Sequence, residues 1–342
     1  MSAEPALDRA ALLRVLGSEY GLEVESLTFL PEGTAPAYRA EGSGGRFFVK
    51  VMPGTAHGAE LRKRVAAELP LLRALRGLGL LTRVPQPLFT RDGADFAGVE
   101  DCFLALFAWI EGTNLESGWT GALGELAPLL SHLHAGTEEI VTLVPQLPVP
   151  PEDFGLPFER GLSDDLRLLK TVRQDDRPGV RALRDLLPPY EATIERLLKS
   201  ARGFQAAARA RPHRYVVCHT DAHGGNVMRD MSGDLWIIDW ETARLAPPEH
   251  DLWMLHERLP EVLPAYEAVA GRSANLDPNL LGFYLCRRAL EDVARAVNLI
   301  LHQNTRPEQD QDCLTGLDRD ILPSVAGAEG ALEALLGRLD AG

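Results

Sequence analysis

Apolar residues at 12, 13, 15 and 16, set among polar ones and closed by Gly21, predict an amphipathic helix over 7–20. The period then shortens. Residues 24–30 (VESLTFL), 37–41 (AYRAE) and 46–52 (RFFVKVM) read as strands, and the turn formers Pro31-Glu32-Gly33-Thr34 and Gly42-Ser43-Gly44-Gly45 join them into an antiparallel meander. Helical spacing returns over 58–76, where Pro70 must kink the helix or begin a second one. Two further strands are expected near 94–99 and 102–109, before Glu111-Gly112-Thr113 punctuates the pattern. Beyond it, Leu/Ala/Arg stretches predict helices near 121–135, 160–172, 180–202, 250–258, 279–303 and 326–340. One β interruption, 215–240, contains the short apolar runs YVVCH, NVMRD and LWIID. Prolines 145, 148, 150, 151 and 157 mark 143–158 as an irregular surface insertion. The fold class is therefore α+β and bilobal: a small antiparallel-sheet lobe over 1–108, a connection over 109–112, and a larger, mostly helical lobe over 113–342. A cleft between two such lobes is a usual place for a ligand.

The chain has 342 residues, 45% hydrophobic and 25% charged, which is enough for a proper core and argues against a disordered or fibrous protein. Its 35 Lys and Arg against 49 Asp and Glu leave a net charge of −14, which repels a nucleic-acid backbone and favours a cationic ligand. Cys102, Cys218, Cys286 and Cys313 are scattered without a C-x-x-C pair, as suits buried thiols in a reducing compartment. The opening MSAEPALDRA lacks a basic-then-apolar signal pattern. The longest apolar run, 102–110, is well short of the ~20 residues of a membrane helix. A cytoplasmic protein without a membrane span is expected, as a monomer or homodimer.

The sharpest chemical signal is His219-Thr220-Asp221-Ala222-His223-Gly224-Gly225-Asn226, followed by the strand Leu235-Trp236-Ile237-Ile238-Asp239. This is the H-x-D-x-x-x-x-N spacing of a phosphoryl-transfer loop with an acidic residue ending the next strand. A phosphoryl donor brings several negative charges and calls for Mg2+ on hard oxygen ligands, which the Asn226 amide and the Asp239 carboxylate supply. Asp221 is then placed to orient an acceptor hydroxyl and take its proton. His219 joins the catalytic candidates, reading more readily as a packed support of the loop than as a proton carrier. His223 faces the transferred phosphate or fills the turn. Lys50, in the apolar strand Phe47-Phe48-Val49-Lys50-Val51, needs a counter-charge if buried; a nucleotide phosphate and a helix carboxylate would provide one, with Glu68 the first candidate and Glu60 the second. The alternative places Lys50 on the solvent face of an edge strand. Gly33 sits in a turn positioned to cover phosphates, although Pro36 removes a donor from it.

The motifs Phe48-Val49-Lys50, Trp109-Ile110-Glu111-Gly112, the 219–226 loop and Ile237-Ile238-Asp239-Trp240 resemble those of the aminoglycoside phosphotransferase family, whose fold is protein-kinase-like, over about residues 20–300. Thr90-Arg91-Asp92-Gly93, the segment 245–253 and the helix 284–297 are similar, more loosely, to its spectinomycin phosphotransferase branch. The resemblance implies an ATP- and Mg2+-dependent kinase with Asp221 as catalytic base, Asn226 and Asp239 on the metal, and Lys50 on the nucleotide phosphates. It further implies that Ala108 and Ile110 present backbone to adenine and that Asp251 is a buried brace of the loop. The acceptor would be a hydroxyl of a small, cationic compound of aminoglycoside or aminocyclitol type. Glu241, Glu249, Glu257, Glu291 and Asp292 are candidates to line its pocket, or else a solvated helix face that pairs with Arg287, Arg288 and Arg295. Two alternatives stand beside this reading. One is a metabolite kinase of the same fold, of choline, homoserine, methylthioribose or macrolide type, without a role in antibiotic resistance. The other is a non-catalytic nucleotide-binding scaffold.

Overall fold

The computed structural model describes residues 4–31, 33 and 35–339; Glu32 and Thr34 of the expected phosphate-covering turn lie outside the described residues. In chain order come α1 (Arg9–Tyr20), β1 (Val24–Leu30), β2 (Ala37–Gly42), β3 (Gly45–Met52), α2 (Ala56–Gly77), β4 (Pro87–Leu88), β5 (Ala97–Val99), β6 (Cys102–Ala108) and β7 (Gly112–Asn114). Helices α3 (Leu123–Ala135), α4 (Thr137–Leu143), α5 (Glu159–Leu169), α6 (Pro178–Leu186) and α7 (Glu191–Arg209) follow. The short strands β8 (Val216–Cys218), β9 (Val227–Asp230), β10 (Leu235–Ile237) and β11 (Arg244–Ala246) precede α8 (Glu249–Leu252), α9 (Leu259–Ala270), α10 (Pro278–Asn298), α11 (Pro307–Gly316) and α12 (Leu322–Leu339). This is the α+β, protein-kinase-like arrangement expected.

Two compact units emerge. The first runs from the first described residue to Pro151 and takes in Tyr215–Asp251 and Val262–Ser273. Its main sheet has the antiparallel order β1-β2-β3-β6-β4, with β5 also paired to β6. Helix α1 begins where the Asp8 carboxylate accepts the N–H groups of Ala10 and Ala11, and it stops at Gly21, whose φ of 73° suits glycine. Leu12 and Leu16 of α1 then join Tyr38, Val49, Val51 and Leu104 in one buried cluster. Strand β3 is central, between β2 and β6, and its last four residues are all buried. The alternative of an exposed edge-strand Lys50 is thereby overturned. Helix α2 runs unbroken through Pro70, because Leu61, Val65, Leu69, Leu72 and Leu75 bury one continuous face that outweighs the lost hydrogen bond.

The expected connection at 109–112 lies inside this first unit. Gly112 is not mere punctuation: it opens β7, which pairs with β9, and a Cβ there would come within 2.7 Å of the Arg229 carbonyl oxygen.

The second unit comprises Glu152–Arg214, Leu252–Glu261 and the stretch from Ala274 to the last described residue. Helix α10 is its axis, burying Leu281, Phe283, Tyr284 and Val293. Within it, one expectation needs correction and another needs refinement. The predicted helix 180–202 is broken by Pro188 and Pro189 into α6 and α7. The proline-rich 143–158 is irregular and largely exposed, as expected, but the part that belongs to this unit is anchored by the buried Glu152, Phe154 and Leu156. Within the second unit Glu152 makes a bidentate ion pair with Arg287 at 2.9 and 3.1 Å, and Phe154 packs edge-on against Phe283. Prolines set the backbone path of this segment, whereas the Glu152 pairing and the apolar side chains bury it.

Candidate active site

The loop 219–226 hangs between β8 and β9, and a deeply buried carboxylate shapes it. Asp251 Oδ2 accepts the N–H of His219 at 3.0 Å and Oδ1 that of Thr220 at 2.6 Å, which holds Thr220 at a φ of 74° that a β-branched residue rarely adopts. A third donor reaches the same carboxylate. His134 on α3 sits 2.9 Å from Asp251 Oδ2 through Nε2, while its Nδ1 lies 2.8 Å from the Tyr266 hydroxyl. His134 escapes the motif search, although a histidine among Leu126, Leu130 and Leu133 on the buried face of a helix is itself a signal.

His219 is fully buried, with Nδ1 accepting the Asp221 N–H at 3.2 Å and Nε2 donating to the Ile238 carbonyl at 2.9 Å. Burial lowers its pKa, with Asp251 opposing. Both ring nitrogens are committed to the backbone, the geometry of a packed support of the loop. Asp221 then follows with its carboxylate partly exposed. Asn226 Nδ2 donates to its Oδ2 at 3.1 Å and to its carbonyl at 2.9 Å, leaving the Asn226 Oδ1 as the atom available to a cation. Gly224 is required by packing, because a Cβ would lie 2.0 Å from the Glu116 carbonyl oxygen.

Lys50 gathers the acids. Its Nζ lies 2.7 Å from Glu241, 3.6 Å from Asp239 and 3.7 Å from Glu68. Burial opposes the ammonium charge, yet the carboxylates of Glu68, Asp239 and Glu241 outweigh it and raise the pKa. Of the two helix candidates Glu68 is the partner, and Glu60 pairs with Lys63 at the surface. Glu241, expected among the acceptor-pocket acids, is instead buried on Lys50. Asp239 adopts a φ of 64°, and its pKa is raised by burial, against Lys50 and with Glu241 adding. Three carboxylates thus face one ammonium, a surplus of negative charge that suits a further cation. Asn226 Oδ1 and the Asp239 carboxylate are the hard oxygen donors that Mg2+ prefers.

Burial pushes the Glu68 carboxyl up to about 7, against the pull of Lys50 and with Asp239 and Glu241 reinforcing. A carboxyl raised from 4.5 binds its proton more tightly when folded, so its contribution to stability is complete below that value and is lost as pH rises through about 7. Between about pH 5 and pH 8, chemical denaturation of the wild type is expected to lose roughly 3 kcal/mol more than that of Glu68→Gln. Equal losses in the two proteins reject this charge balance.

The other expected residues divide. The Ala108 N–H is bonded to the Gln86 carbonyl at 2.9 Å. The Ile110 N–H has no hydrogen-bond partner among the described residues. Gly33 has a φ of 97° in an open turn. Asp292 pairs with Arg288 at 3.0 Å along α10, and Glu291 on that helix is exposed; both belong to the second unit.

Residues 26–282 match the model of the phosphotransferase enzyme family (APH). The chain belongs to that family and is a phosphotransferase of the class that uses an alcohol group as acceptor. Among solved structures, the chain is similar to spectinomycin phosphotransferase in complex with ADP and spectinomycin, at 19% identity and a TM-score of 0.72 over 97% of this chain and 98% of that one. It is likewise similar to an aminoglycoside phosphotransferase from Alicyclobacillus acidocaldarius, at 18% identity and a TM-score of 0.62 over 99% and 98%. A microcompartment-associated aminopropanol kinase gives 18% identity and a TM-score of 0.62 over 97% and 98%. No curated protein matches the sequence. Among the described residues no helix is long and apolar enough to cross a membrane.

Proposed function

We propose that the chain is a cytoplasmic, ATP- and Mg2+-dependent small-molecule kinase that transfers the γ-phosphoryl group to a hydroxyl of an aminoglycoside- or aminocyclitol-like acceptor. Residues 1–108 serve as the nucleotide-binding lobe, 109–112 as the hinge, and 113–342 as the catalytic and acceptor-binding lobe. The carrying observation is the surplus of carboxylates about Lys50 beside a loop that presents the Asp221 carboxylate and the Asn226 amide oxygen. Asp221 orients the acceptor oxygen and takes its proton, Lys50 meets the nucleotide phosphates, and the Ile110 N–H faces the base. Asn226 and Asp239 hold the magnesium, which when bound neutralises charge on the phosphates. The excess acid in the composition favours an amine-bearing acceptor.

A second reading, a metabolite kinase acting on a small amino alcohol, draws on the likeness to the aminopropanol kinase, whose TM-score equals that of the aminoglycoside phosphotransferase. Incubation with Mg2+ and γ-labelled ATP against spectinomycin, a 4,6-linked aminoglycoside, choline and 1-amino-2-propanol separates the two. Label on spectinomycin or the aminoglycoside supports the first reading, and label only on choline or aminopropanol supports the second. Label on none of them, with intact ATP, counts against both.

A further inference from the structure

We propose that His223 is a second catalytic residue, whose Nε2–H donates a hydrogen bond to the phosphoryl group in transit; the proposal rests on the kinase reading above. The backbone fixes its tautomer. Gly225 N–H donates to His223 Nδ1 at 3.0 Å, and a backbone amide can only donate, so Nδ1 holds the lone pair and the neutral ring carries its proton on Nε2. That proton is not used by the protein. Nε2 stands 3.6 Å from Asp221 Oδ2, beyond the usual 2.7–3.2 Å of an N–H···O bond, and it has no other partner among the described residues. Asp221 Oδ2 already accepts from Asn226 Nδ2 at 3.1 Å.

The ring is placed by packing as well. It lies against Gly225, where a Cβ would sit 2.8 Å from the ring Cε1. Its side chain keeps 41% of its surface exposed and borders the Asp221 carboxylate. A base and a donor this close span the two oxygens that matter: the acceptor oxygen, whose proton goes to Asp221, and a peripheral oxygen of the phosphoryl group, which takes the Nε2–H. As the acceptor oxygen bonds to phosphorus, the bond from phosphorus to the bridging oxygen breaks, its electron pair leaves on the nucleoside diphosphate, and the hydroxyl proton passes to Asp221. His223 loses no proton; it supplies a preoriented dipole where charge is spread in the transition state.

Three variants separate this role from turn filling. In His223→Asn the Oδ1 can still accept the Gly225 N–H, as in an Asx turn, but nothing reaches the Nε2 position. His223→Gln restores an N–H near that position, and His223→Ala removes both functions. Two probes need no acceptor: hydrolysis of MgATP with water, and trapping of MgADP with aluminium fluoride. His223→Asn and His223→Ala are expected to slow hydrolysis and weaken trapping by about 10²-fold, with MgADP alone bound within about two-fold of wild type. His223→Gln should recover about tenfold or more of the loss. A His223→Asn protein that hydrolyses and traps like wild type overturns the proposal and leaves the kinase reading standing. A wild-type protein that binds no MgADP overturns the kinase reading, and this proposal with it.

Discussion

Asp221→Asn is expected to lower turnover by about 10³-fold or more while ATP affinity stays within about two-fold of wild type. The size of the effect follows from what is removed. The carboxylate is the one group on the 219–226 loop that is acidic and partly exposed, and Asn226 Nδ2 orients it through Oδ2 and through its own carbonyl. An amide keeps the shape, so folding and nucleotide contacts persist, but it cannot take a proton from the acceptor hydroxyl. Steady-state kinetics with an acceptor that wild type phosphorylates, paired with calorimetric ATP binding, reads both quantities. Turnover within about tenfold of wild type would remove Asp221 from the role of base.

Asp251→Ala carries the largest expected loss of stability. The substitution orphans three donors together: the buried N–H of His219, the part-buried N–H of Thr220 and the buried Nε2–H of His134. At about 1–3 kcal/mol for each unsatisfied group, the cost is roughly 3–9 kcal/mol, a large share of a domain's stability. The loop suffers separately, because Thr220 at a φ of 74° relaxes once its amide is released, and the Asp221 carboxylate moves with it. Urea denaturation should show a strongly lowered midpoint, and the folded fraction at low temperature should turn over slowly. A wild-type midpoint would contradict the bracing role of this carboxylate.

The sequence is most legible where spacing and chemistry coincide. The meander of β1, β2 and β3, the 219–226 loop and the strand running to Asp239 are all readable, because alternation, glycine turns and a fixed quartet of polar residues each constrain the chain locally. Long-range charge pairing is not readable. Nothing local distinguishes Glu241 on Lys50 from Glu241 facing an acceptor, since the two lie far apart in the chain and meet only once β3 and the segment after β10 are packed. His134 is hidden for the same reason: its partner Asp251 belongs to another element. Burial of Glu152 and Phe154 within the otherwise largely exposed 143–158 segment is masked by its prolines, which report backbone path and say nothing about those two side chains.

The most direct measurement of the central claim is ATP binding by calorimetry with and without Mg2+, in wild type and in Asp239→Asn. With Asn226 Oδ1 and the Asp239 carboxylate holding one dication against the nucleotide, Mg2+ should strengthen ATP binding by about tenfold or more in wild type and by less than about two-fold in the variant. ATP affinity that ignores Mg2+ in wild type, or a variant that keeps the full Mg2+ dependence, contradicts it.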